Sequence, residues 1–84
     1  MRIQNAAVSD AARRQLVGRR LRETRRQRGI GLRELAGRIG VSPSAISEFE
    51  LGKSWPKLDT LLDLASELDV SLDELFTSTT SSEA

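Results

Sequence analysis

The sequence has no cysteine, no histidine and no tyrosine, and its aromatic side chains are two phenylalanines and one tryptophan. Without cysteine no disulfide framework can form, and without cysteine or histidine the usual ligands of a structural zinc are missing, so neither metal nor cofactor is expected. The same absences, with no glycine-rich nucleotide-binding signature and little room for a pocket, argue against an enzyme. No apolar run approaches the ~20 residues that a membrane span needs. The first residues, Met1-Arg2-Ile3-Gln4-Asn5, lack the apolar centre of a signal peptide, which makes the cytoplasm the expected location. Strand-like alternation and internal repeats are missing too. At 84 residues the chain can bury one small core.

What the sequence does have is charge, unevenly placed. Residues 1–38 carry eleven arginines against Asp10, Glu23 and Glu34, a balance of +8. Residues 39–84 carry Lys53 and Lys57 against nine acids, a balance of −7. A molecule so polarised can turn one face to a polyanion while the other keeps it soluble, although an arginine-rich helix with partners elsewhere gives the same count.

The pattern along the chain is helical throughout. Residues 1–9 have no periodicity and read as an arm. A first helix is expected from Ser9 or Asp10 to Arg28, stopped by Gly29, with Val17 and Leu21 on one face and Thr24, Arg25 and Arg28 continuing that line. Gly18 weakens this helix by up to ~1 kcal/mol relative to alanine, which suggests that a neighbouring backbone passes close to it. In the second helix, residues 32–39, Leu32, Leu35, Ala36 and Ile39 form a buried stripe, and Gly37 is expected to allow another close approach. A fourth helix over 58–68 is expected to point Leu58, Leu61, Leu62, Ala65 and Leu68 inward, with Asp69 left-handed after it. Ser71 and Glu74 make a capping box for a short last helix carrying Leu72, Leu75 and Phe76. The polar run TSTTSSEA, residues 77–84, cannot bury anything and reads as a tail or linker. The expected architecture is all-α with five helices, and residues 10–76 form the domain.

Between the second and fourth helices lies GVSPSAISEFELGKSWP, residues 40–56. Gly40 lacks a Cβ and can take the left-handed conformation that ends a helix. Ser42 is a good N-cap, and Pro43 suits the first helical position, where a missing N–H costs nothing. Ile46 and Phe49 then face inward, and Ser44, Ser47 and Glu48 are free to face out. A short helix with a polar outer face, turned sharply off the helix before it, is a layout suited to entering a DNA groove.

With these elements placed, the chain resembles the phage-repressor and Cro class of helix-turn-helix domains, the XRE family. The resemblance runs from about Val17 to Phe76 and is carried by VGRRLRETRRQRGI, LRELAGRIGVSPSAISEFELGK and LDTLLDLASELDVSLDELF. It implies a five-helix, lambda-repressor-like DNA-binding domain whose third helix, residues 43–50, lies in the major groove. By the resemblance Pro43, Ser44 and Glu48 fall where bases are read. Ser42, Lys53 and Ser54, with Arg33 and Arg38 flanking, fall where phosphates are met. Arg25 and Glu50 match a partly buried ion pair tying the first helix to the end of the third, which would make Arg25 structural. The sequence departs from the pattern at Leu32, where glutamine is common, at Leu51, which replaces a polar residue, and at Lys57, where a serine usually caps the fourth helix.

Serine, proline and glutamate are weak base readers beside arginine, asparagine and glutamine, so phosphate contacts and DNA shape are expected to carry much of the affinity. Glu48 would accept from a cytosine amino group, or else simply solvate the helix. Trp55 could stack on a sugar, anchor a partner, or fold over the fourth helix or the end of the third; Phe76 would close the core or a dimer seam. The implied function is a transcriptional regulator, a repressor, bound as a homodimer to a pseudo-palindromic double-stranded operator with half-sites ~34 Å apart. The alternative is a protein-interaction module on the same fold, a coactivator or antitoxin. The passage PKLDTLLDLASEL is similar to regulators that continue into a small-ligand β-barrel of the cupin kind, which implies a C-terminal effector domain beyond this chain.

Overall fold

Ser9 stands in extended backbone, and its Oγ accepts a hydrogen bond from Ala12 N at 3.0 Å, which opens the first helix at Asp10. The computed structural model describes residues 9–76, and the expected arm before Ser9 and the tail 77–84 lie outside them. Five α-helices follow one another: α1 Asp10–Gln27, α2 Leu32–Ile39, α3 Pro43–Leu51, α4 Leu58–Leu68 and α5 Leu72–Phe76. Strands are absent among the described residues. The fold is thus an all-α, five-helix helix-turn-helix fold, with α2 and α3 as the pair joined by the tight turn.

That turn forms as its residues require. Gly40 has φ +78°, and the N–H groups of Gly40 and Val41 both donate to Ala36 O, at 2.9 and 3.1 Å, closing α2. Ser42 Oγ then accepts from Ala45 N at 3.1 Å, and Pro43 takes the first helical position of α3. The reciprocal bonds at α5 are equally complete: Ser71 N to Glu74 Oε1 at 3.0 Å and Glu74 N to Ser71 Oγ at 3.1 Å. Asp69 ends α4 in the left-handed region with φ +59°. Lys57 occupies the N-cap of α4 and supplies no side-chain hydrogen bond there.

The core is built on Leu35 of α2, Ile46 of α3, Leu64 and Leu68 of α4 and Leu75 of α5, each at 1% exposure or less. Val17 and Leu21 of α1 complete it, and Leu32, Ile39, Val41 and Phe49 pack against its edge. The buried stripe of α4 is Leu61, Leu64, Ala65 and Leu68, which corrects the expectation drawn from spacing. Leu58 and Leu62 were expected inside and are 68% and 48% exposed. With leucine at 58, 61, 62, 64 and 68, two overlapping stripes satisfy helical spacing. The rotation of α4 against its neighbours chooses between them.

Gly18 faces the end of α3 so closely that a Cβ there would stand 2.3 Å from Phe49 O and 2.6 Å from Glu50 O. The backbones of α1 and α3 meet at this point. Gly37, expected to play the same part, has nothing within 4 Å of its would-be Cβ and faces solvent. Trp55 does not enter the core: it is 39% exposed and its ring lies 6.2 Å from that of Phe76, tilted by 57°. Phe76 is itself 46% exposed, so it covers the tryptophan and does not close the core.

Arg14 and Arg20 of α1, with Arg28 at its C-cap, donate to backbone carbonyls elsewhere in the fold. Arg14 Nε donates to Gly52 O at 3.2 Å, just past α3, and Arg20 Nε donates to Glu74 O at 3.2 Å in α5. Arg28 donates from Nε to Leu68 O at 2.8 Å and from Nη2 to Asp69 O at 3.2 Å, at the end of α4. The carbonyls of Gly52, Leu68 and Asp69 sit at the C-terminal ends of their helices, the negative poles where a cation is favoured. Three of the eleven arginines in residues 1–38 therefore clasp carbonyls of the second half of the chain.

Candidate nucleic-acid interface

Once Ile46 is buried and Phe49 packs on the core edge, the rest of α3 has one open side. Ser44, Glu48 and Leu51 are exposed there, with Ser47 half-buried at their edge. At 100° per residue Ser44, Glu48 and Leu51 fall within roughly 60° of arc, so they present a single stripe. Pro43 and Ser42 are exposed at its start. A shallow groove runs beside this stripe, lined by Leu32, Arg33 and Glu34 from the first turn of α2 and by Pro43, Ser44 and Ser47 from α3. A second depression shares Leu32 and Ser47 and extends to Arg22, Arg25, Glu50 and Leu51.

Electrostatically the stripe carries one acid, Glu48, and no base. Cations flank it: Arg33 is exposed on α2 and Lys53 is exposed just beyond the end of α3. Arg22 lies across the second depression on α1, also exposed. Among the described residues none of these three has an ion-pair partner. Ser42 uses a lone pair of Oγ in capping, which leaves its hydroxyl proton free to donate outward. Ser54 is half-buried in the loop after Lys53.

Arg38 is placed differently from Arg33, although the resemblance implies phosphate contacts for both. Its Nη2 stands 2.6 Å from Glu34 Oε2 and its Nη1 stands 3.6 Å from Glu67 Oε1 of α4. Arg38 thus bridges α2 to α4 and is held by carboxylates. Arg25 pairs with Glu50, Nε to Oε2 at 2.7 Å and Nη2 to Oε1 at 3.1 Å. Its Nη1 donates to Ile30 O at 3.0 Å. Every donor direction of that guanidinium which the structure describes points inward.

Arg22 and Leu51 also lie on this face, beyond the site residues expected from the sequence. Leu51 falls in the 44, 48, 51 spacing legible in the sequence, as a departure from the polar residue the resemblance implies there. Arg22 lies one turn before Arg25 and had been merged into the general arginine excess.

A model described as a helix-turn-helix domain matches residues 18–80. The chain belongs to the helix-turn-helix domain family. It is similar to the helix-turn-helix-type transcriptional regulator DdrOP3 of Deinococcus deserti, 39% identical over 56 residues, covering 67% of this chain and 43% of that one. It is also similar to the uncharacterized helix-turn-helix-type transcriptional regulator y4dJ of Sinorhizobium fredii, 39% identical over 66 residues, covering 79% of this chain and 86% of that one. Among solved structures, the clp gene regulator ClgR of Corynebacterium glutamicum superposes with a TM-score of 0.76 at 32% identity, over 82% of this chain and 73% of that one. The helix-turn-helix chain described here therefore spans under half the length of DdrOP3. As a helix-turn-helix domain it has α2 and α3 as its two defining helices and the exposed stripe of α3 as its open face. Among its described residues no helix is long and apolar enough to cross a membrane.

Proposed function

We propose that this helix-turn-helix domain binds double-stranded DNA sequence-specifically as part of a transcriptional regulator, with α3 in the major groove. The observation that carries the reading is the stripe of Ser44, Glu48 and Leu51, which is free of the core and flanked by the unpaired cations Arg33 and Lys53. In this reading Pro43, Ser44 and Glu48 meet base edges. Arg33, Ser42, Lys53 and Ser54 meet phosphates, and Arg22 joins them from α1. Arg38 reaches a phosphate only by leaving Glu34 and Glu67, so it ranks last in that set.

The regulator acts as a repressor and binds a pseudo-palindromic operator as a homodimer, which places two α3 helices about one helical turn, ~34 Å, apart. Leu58 and Leu62 on α4 and the Trp55–Phe76 pair supply apolar surface that pairing would cover. A small-ligand effector domain of the cupin kind belongs to the same reading; support for a longer protein comes from the length of DdrOP3 relative to this chain.

The test is a salt titration of binding to a random duplex and then to a selected one. Affinity is expected to fall with a log–log slope of about −0.9 for each phosphate neutralised. Leu32, Leu51 and Glu48, which replace stronger DNA-contacting groups, favour a second reading as a protein-interaction module. Absence of salt-dependent binding to any duplex would support that second reading against the first.

A further inference from the structure

We propose that Arg14 is a positioning residue for the phosphate contact of Lys53, acting through the peptide unit that joins Gly52 to Lys53; the proposal rests on α3 being the groove-entering helix. Both polar ends of that peptide unit are held. Arg14 Nε, from the second turn of α1, donates to Gly52 O at 3.2 Å, and Lys53 N donates to Glu48 O of α3 at 2.9 Å. Gly52 itself is buried and left-handed, with φ +77°. A Cβ there would stand 2.7 Å from Gln15 Cα and 2.9 Å from Gln15 N, so the backbones of α1 and this turn are in contact. Residues 14 and 15 thus grip the chain one residue before Lys53.

The carbonyl of Gly52 needs that partner. Among the described residues no backbone N–H donates to it, and a buried carbonyl left without a donor is costly. Past Lys53 the restraint ends, since Ser54, Trp55 and Pro56 make no backbone hydrogen bond among the described residues. Lys53 is exposed there and has no ion-pair partner. A lysine that meets a phosphate gives up side-chain and backbone freedom, and fixing its Cα beforehand lowers that cost. Without the bond from Arg14 the Gly52–Lys53 peptide keeps one tether of two, and the ammonium of Lys53 samples a wider range. In this arrangement the donor at the ε position of residue 14 matters and its charge does not.

The experiment exploits that difference. In Arg14→Gln the amide nitrogen hangs from Cδ as Nε does in arginine, so a donor stays within reach of Gly52 O while the charge is gone. In Arg14→Met the stem and the helix propensity are kept and the donor is lost. Binding to a duplex selected by the wild type is followed by fluorescence anisotropy across a salt titration, and folding is checked by thermal melting. Arg14→Met is expected to bind more weakly and to flatten the log–log salt slope by up to ~0.9, the loss of one phosphate contact. Lys53→Met should flatten it equally, and the double variant no further. Arg14→Gln should keep the wild-type slope. The proposal is overturned if Arg14→Met leaves the slope unchanged, or if its loss adds to that of Lys53→Met. It is also overturned if Arg14→Gln flattens the slope, since Arg14 would then act through its charge; that outcome decides alone should Arg14→Met fail to fold. If the wild type binds no duplex, the DNA-binding reading falls together with the proposal; salt-dependent binding that Arg14→Met leaves untouched counts against Arg14 alone.

Discussion

The guanidinium of Arg25 holds Glu50 with two prongs, Nε to Oε2 at 2.7 Å and Nη2 to Oε1 at 3.1 Å, and so ties the last turn of α1 to the last turn of α3. The side chains are only 11% and 7% exposed. The hydrogen bond to Glu50 pushes the pKa of Arg25 up; burial pulls it the other way, and the charge of Glu50 adds to the rise. A cation whose pKa is raised by folding stabilises the fold fully below its unfolded pKa. That contribution is lost only as pH rises through the higher folded value, here in strong alkali. The pair is therefore in place across the neutral range, with the close backbone contact of Gly18 beside it.

Replacing Glu50 by alanine strands the Arg25 charge in that half-closed site. A broken buried pair costs ~3–5 kcal/mol, against a typical total of ~5–15 kcal/mol for a domain. Glu50→Ala is expected to leave this small domain largely unfolded in a circular-dichroism melt. A melting temperature near that of the wild type would contradict the structural role given to the pair.

The same substitution at two helical glycines should act with opposite signs. Gly18→Ala gains helix propensity but drives a Cβ into Phe49 O and Glu50 O, which are backbone atoms with little freedom to yield. A net loss of ~1–3 kcal/mol is expected, as for other overpacked sites, with weaker DNA binding as α3 shifts. Gly37→Ala meets nothing within 4 Å and should stabilise by up to ~1 kcal/mol. Urea denaturation of both variants measures the difference directly.

Lys57 leaves the first N–H groups of α4 without a side-chain acceptor from the cap position. Its backbone is already extended, with φ −64° and ψ 159°, as a capping serine or aspartate requires. Lys57→Ser should therefore raise stability by ~0.5–2 kcal/mol without moving α4. No gain in a denaturant melt would show that solvent and the Asp59 carboxylate, whose Oδ1 accepts from Thr60 N at 2.8 Å, already satisfy those groups equally well.

Leucines on opposite faces of α4 should separate folding from association. Leu64→Ala empties a site of 1% exposure and is expected to cost ~2–5 kcal/mol. The double change Leu58→Ser and Leu62→Ser removes exposed side chains and should shift the stability of the monomer by no more than about 0.5 kcal/mol per site. For the proposed homodimer, sedimentation velocity should instead show weaker self-association, in the presence and absence of duplex DNA. An unchanged dimer would place the pairing surface elsewhere.

The elements of this fold were legible because their signals are local. Ser9, Gly40, Ser42, Asp69 and the Ser71–Glu74 box each act within one helical turn, and each is found capping or ending the helix expected of it. The choice between Leu62 and Leu64 was not legible, since a leucine-rich helix offers more than one valid stripe. Nor could spacing show that Arg38 sits between Glu34 and Glu67, or that Trp55 meets Phe76 at the surface. For the candidate interface, the helix and its outward serines were readable. The cations that stand beside it unpaired had to be separated from those engaged within the fold.

The amino-acid sequence by itself determined five helices, their caps, their stops and the polar side of α3, because capping, left-handed residues and periodic burial depend on neighbours a few positions away. Tertiary structure decided which arginine is a clasp and which is free, since Arg14, Arg20 and Arg28 find their carbonyls 38, 54 and 40 residues along the chain. It also decided that Gly18 is a contact and Gly37 is not. Those outcomes follow from how the helices cross and how closely they approach, quantities that arise only when all five pack against one core.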